Sequence, residues 1–181
     1  GGYGDDTDMV HEWANFHMLF DPDDKLGDSF CRLADFCWTQ NVDGLPYRPK
    51  DSDLHCYEDG PNLHGGTLLF RYGDPFYTNR LLLFCQHLDG HLTGVNAKGQ
   101  RLHRAESWGG KDGLRGEKVD TGVSFRMEPA LWLAWYNRHP EAVRLLKEWM
   151  DTRLAYYPAK HVAGLPGVIR FEDGRDLGPQ K

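Results

Sequence analysis

The stretch FRYGDPFYTNRLLLFCQHL, residues 70–88, carries the strongest structural signal in the chain. Asp74 is a good N-cap, because its carboxylate can accept one of the free N–H groups that open a helix. Pro75 suits the first helical position, where it has no hydrogen bond to lose. Tyr77, Leu81, Phe84 and Leu88 then recur at spacings of three and four, the period of one helical face. Ahead of the break Tyr72-Gly73-Asp74-Pro75 lies a further apolar stretch. A break this short predicts an antiparallel αα-hairpin.

Working outward, the pattern returns on both sides. Asp6 to Gln40 contains the break Phe20-Asp21-Pro22, followed by SFCRLADFCW, with Leu26, Phe30, Leu33 and Cys37 at helical spacing. Ser124 to Tyr156 contains the break Tyr136-Asn137-Arg138-His139-Pro140, followed by AVRLLKEWM, with Val143, Leu146, Met150 and Leu154 in the same role. Pro140 takes the first helical position there. The expected fold is all-α, with three αα-hairpins over residues 1–157 and Phe20, Tyr72 and Tyr136 at equivalent corners. Residues 158–181 read as a loop-rich tail, with one short strand near Val168–Phe171 and a lead into a further part of the protein. The connections 41–61 and 89–123 are long for a compact helical array, and loops of that length are usually functional or disordered. A tetratricopeptide array would keep a period of about 34 residues and short turns.

Composition bounds the function. The chain has 181 residues, 40% of them hydrophobic and 13% aromatic, enough for a real core. The net charge of −6 argues against a generic nucleic-acid coat. No window approaches the roughly 18 apolar residues of a membrane helix, so no membrane partner is expected. Cys31, Cys37, Cys56 and Cys85 form no C-x-x-C pair and sit beside apolar residues, as small buried hydrophobes do. Cys31 and Cys37 on one helix would lie about 9 Å apart along its axis, too far to bridge. Trp132, Trp135 and Trp149 fall on helical faces and are expected to pack between helices.

Three places hold chemistry-bearing residues. Asp5, Asp6 and Asp8 open the first helix and exceed what capping needs; Asp6 is a candidate general acid or base. His55 and Glu58 stand three apart, with Tyr57 between them and Asn62 and His64 following. There is no His-Glu-x-x-His, so a zincin is not supported, and no metal or cofactor is expected. Asn and His can hydrogen-bond a uronate carboxylate, and Tyr or His can remove the adjacent proton. The connection 89–123 is locally basic. His91, Arg101, Arg104 and Trp108 there suit anionic groups and the flat face of a sugar.

GGYGDDTDM (1–9), DLHCYEDGPN (53–62) and FRYGDPFYTNRLLLFCQHL (70–88) together resemble the six-hairpin (α/α) toroid enzymes, among them unsaturated glucuronyl hydrolases and heparinase-like polysaccharide lyases. The resemblance spans about residues 1–157 and covers half a toroid. It implies a cleft on one rim, formed by Gly4–Asp8, residues 53–64 and residues 89–123, and a periplasmic or secreted setting. It implies an enzyme that cleaves a uronate-containing glycan, with a lean to β-elimination through Asp6, His55, Glu58 and Tyr57. Asp5, Asn62, His64, His91, Arg101, Arg104 and Trp108 would bind the substrate. Hydrolysis with Asp6 and Glu58 as paired carboxylates is the alternative. A non-catalytic helical scaffold or glycan-binding module is the third reading.

Overall fold

Helices predominate in the computed structural model of the chain, which describes residues 25–39, 64–104, 119–120, 127–156 and 167–178. Helix α1 is Lys25–Thr39. Helix α2 covers residues 64–70, and α3 is Pro75–His87. A π-helical turn, Leu88–Leu92, leads into strand β1 (Thr93–Val95) and strand β2 (Arg101–His103). Strand β3 (Val119–Asp120) precedes helices α4 (Glu128–Asn137) and α5 (Pro140–Tyr156). Strands β4 (Val168–Arg170) and β5 (Asp176–Gly178) close the order.

The two hairpin breaks form as the sequence dictates. Asp74 caps α3 by accepting from the Phe76 amide at 2.9 Å, with Pro75 as first residue. Gly73 supports the bend before it with φ +84°, a conformation costly for any residue with a Cβ. Pro140 opens α5 after Arg138, whose φ of 54° ends α4. The corners also meet. The Tyr72 and Tyr136 rings lie 5.1 Å apart, edge to face, and the Tyr136 hydroxyl accepts the Gly73 N–H at 2.5 Å. Phe20, the third expected corner, lies outside the described residues.

The core sits between α1, α2, α3, α4 and the near face of α5. Tyr77, Leu81, Phe84 and Leu88 are all buried, as their spacing predicts. Each large apolar side chain sealed there contributes about 1.5–3 kcal/mol. Cys31, Ala130, Leu133, Ala142 and Leu145 complete this centre, with Trp38, Trp132 and Trp149 packed at its margin. Gly65 lets α2 approach α4, because a Cβ there would stand 2.1 Å from the Trp132 indole nitrogen.

Several expectations are corrected. The fold is not all-α: β1 and β2 form one antiparallel pair, and β3, β4 and β5 form a second sheet in that order. Part of the connection 89–123 is therefore a hairpin. Asn96 builds its turn by accepting the amides of Lys98 at 2.9 Å and Gln100 at 3.0 Å. The strand expected near Val168 exists and lies at the centre of the second sheet, so part of the tail docks onto β3. The apolar stripe of α5 turns mostly outward: Val143, Met150 and Leu154 are exposed and only Leu146 of the four packs against the core, while Ala142, Leu145, Thr152 and Arg153 are buried. Polar anchors set that rotation, for Thr152 accepts the Arg101 amide at 2.9 Å and Arg153 pairs with Asp120. Leu26 of α1 is likewise exposed, and Trp135 is 63% exposed rather than packed between helices.

Candidate functional site

Asp5, Asp6, His55, Tyr57, Glu58, Asn62 and Trp108 lie outside the described residues, as does the side chain of His91. The convergence of Asp6, His55 and Glu58 on one cleft therefore falls outside them too. His64, Arg101 and Arg104 are described; His64 and Arg101 each belong to a distinct polar cluster.

His64 opens the described part of α2, at the end of the expected rim segment 53–64. Its ring is buried, 5.2 Å from Trp38 in an edge contact and 5.7 Å from Phe84. Among the described residues neither ring nitrogen has a hydrogen-bond partner. Burial, assisted by the positive charge of Arg80, pushes its pKa down to about 3, so the imidazole stays neutral. Arg80 is held by Asp35 at 2.7 Å and lies 4.2 Å from the Phe76 ring and 4.8 Å from the Trp38 ring. Tyr77 donates its hydroxyl to Asp35 at 3.3 Å, and burial raises its pKa to about 12. This cluster joins α1 to α2 and α3. It sets a neutral imidazole beside a caged cation and does not offer His64 to a ligand at the surface.

Arg101 is 5% exposed. Its guanidinium reaches Asp89 at 2.7 Å and Glu148 at 2.5 Å, and Nη1 also donates to Thr93 at 2.8 Å. Arg144 reinforces both acids, at 2.6 Å from Asp89 and 3.1 Å from Glu148. Although burial works against it, Arg101 and Arg144 hold the Glu148 carboxyl below its usual range. The charge of Arg101 is engaged inside the protein, tying the π-helical turn and β2 to α5, rather than displayed to an anionic ligand. Arg104 is half-buried, close against Gly94, with its guanidinium 5.2 Å from the Phe171 ring. It links the first hairpin to the docked tail.

The third cluster was not visible in the sequence. Asp120, fully buried, accepts the backbone N–H of His103 at 2.9 Å, contacts His103 Nδ1 at 3.1 Å, and pairs with Arg153. Arg153 also lies 5.4 Å from the Trp149 ring, and burial brings its pKa down to about 10, which leaves it charged at neutral pH. A carboxylate beside an imidazole can orient that ring for proton transfer. Here the same carboxylate also neutralises a buried cation and fixes β2, β3 and α5 together. The three residues are far apart in sequence and obey no period. The one available signal is Arg153 itself, on the α5 face that carries Ala142, Leu145 and Trp149.

An aromatic row crosses the corner end of the hairpins. Tyr72 is 82% exposed and contacts Tyr136; Trp135 lies 6.5 Å from Tyr136 and 5.7 Å from Trp132. Among the described residues no group of His, Cys, Asp and Glu converges as a metal site requires, and no helix is long and apolar enough to cross a membrane. Compared with protein-family models, curated proteins and solved structures, the chain gives no match.

Proposed function

We propose that the chain is part of an αα-hairpin, carbohydrate-active enzyme of the toroid type that cleaves a uronate-containing glycan by β-elimination. The observation that carries this reading is the meeting of the Tyr72 and Tyr136 corners, 5.1 Å apart, each beside its helix-opening proline. Two αα-hairpins packed corner to corner support this reading, since toroids of this type are built from such units. In the proposed reaction a base, Tyr57 or His55, removes the proton beside the uronate carboxylate. Asn62 neutralises that carboxylate through hydrogen bonds, which makes the proton acidic. The glycosidic C–O bond then breaks, a carbon–carbon double bond forms in the uronate, and Asp6 or Glu58 protonates the leaving oxygen.

Incubation with a panel of uronate polysaccharides tests this. Elimination raises the ultraviolet absorbance of an unsaturated uronate in step with new reducing ends. Reducing ends without that absorbance would favour hydrolysis by paired carboxylates.

A second reading has its own support. The exposed rings of Tyr72 and Trp135, on either side of the partly buried Tyr136, offer flat apolar faces of the kind that stack on sugar rings, which suits a glycan-binding module without turnover. Binding that is lost in Trp135→Ala, with no product from any glycan, would select it.

A further inference from the structure

Arg71, Arg80, Arg101, Arg153 and Arg170 are buried or half-buried, and each meets an Asp of the chain. Arg104 is half-buried too, yet among the described residues it meets no carboxylate. Its Nε is buried and has no hydrogen-bond acceptor among them. Withdrawing a cation from water without a counter-charge is unfavourable, so the arrangement lacks an anion that the sister arginines all have.

The fold nevertheless holds this guanidinium in place. The Arg104 backbone N–H donates to the Leu92 carbonyl at 2.8 Å, which anchors the residue beside β1. The side chain lies against Gly94, in the middle of β1, with its guanidinium carbon 5.2 Å from the Phe171 ring. Glycine weakens a strand, and one inside a strand often marks a close approach. The φ of Gly94 is not in the left-handed region, so its backbone does not ask for glycine. The space does, because a Cβ there would run into the Arg104 guanidinium. Gly94 and Phe171 thus orient the cation without neutralising it.

We propose that Arg104 is a carboxylate subsite, its two Nη groups gripping in a bidentate fork the carboxylate of a uronate residue outside the bond that is cut. The planar fork matches a planar carboxylate, and Nε is sealed inside. Since the anion is assigned to a uronate, the subsite rests on the glycan reading of the substrate. It takes no part in the elimination step.

Titration of the full chain with sodium glucuronate at constant ionic strength tests it, followed by nuclear magnetic resonance of the Arg104 Nε–H and the β1 amides. Glucuronate contains no glycosidic bond, so the result is independent of turnover. Both sets of signals should shift saturably with glucuronate and stay still with glucose, and inorganic sulfate should bind more weakly. Arg104→Gln and Arg104→Lys should each weaken glucuronate binding about tenfold or more, the scale of hydrogen bonds to a charged group. Gly94→Ala should do the same while keeping the arginine, because it displaces the guanidinium. Far-ultraviolet circular dichroism should be unchanged in all three, and the two remaining variants carry the test if one fails to fold. No saturable shift, an equal response to glucose, tighter binding of sulfate, or undiminished binding by the folded variants overturns the proposal. Saturable binding without cleavage of any uronate polysaccharide would sink the elimination reading and leave the subsite standing; cleavage without this binding would do the reverse.

Discussion

Replacing His64 with leucine should change how the protein responds to acid. In the unfolded chain this imidazole titrates near 6.5; in the fold, burial and Arg80 hold it neutral down to about 3. Across that window the unfolded state binds a proton that the folded state refuses, so stability falls as pH falls. From about pH 7 to about pH 5 the linkage amounts to about 2 kcal/mol, at about 1.4 kcal/mol per unit of separation. His64→Leu removes it. The replacement also removes two buried ring nitrogens that have no hydrogen-bond partner among the described residues, so at neutral pH the variant should be near wild-type stability or above it. Urea unfolding of both proteins at the two pH values gives a double difference in which the other titrating groups cancel. The variant should gain about 2 kcal/mol on wild type as pH drops. An unchanged difference at both pH values would refute a buried, neutral His64.

Asp120→Asn should destabilise by about 3–5 kcal/mol in urea unfolding, because it leaves the buried Arg153 without its counter-charge. Asp151→Ala, which breaks an exposed pair with Lys147, should cost only about 0.3–0.5 kcal/mol by the same measurement. Tyr136→Phe removes the hydroxyl that joins the two corners and should lower stability by about 0.5–1.5 kcal/mol. Burial raises the thiol pKa of Cys31, and that of Cys85 to about 12, so mass mapping with a thiol reagent at neutral pH should show these two modified only after denaturation.

Local rules carried the hairpin breaks. Asp74, Pro75 and Pro140 act within one helical turn, and the Tyr77–Leu88 stripe faces the core because its period matches the helix. The α5 stripe obeyed the same period and yet, apart from Leu146, faces outward. Its rotation is set by Asp120 and the Arg101 amide, partners contributed by strands distant in sequence. Nor could composition distinguish a basic loop from the hairpin in 89–123. Arg101 looks like an anion ligand until Asp89 and Glu148, brought in by the π-helical turn and α5, enclose it. Trp135 looked like packing because spacing identifies a helical face without saying what lies against it.

The central claim is cleavage of a uronate glycan by elimination, and cleavage in water enriched in heavy oxygen tests it most directly. Elimination takes no atom from solvent at the broken bond. Mass spectrometry should therefore find products that carry the double bond and no heavy oxygen introduced by cleavage, after correction for exchange at the reducing end. Saturated products with one solvent oxygen per cut, or intact glycan with no products, would contradict it.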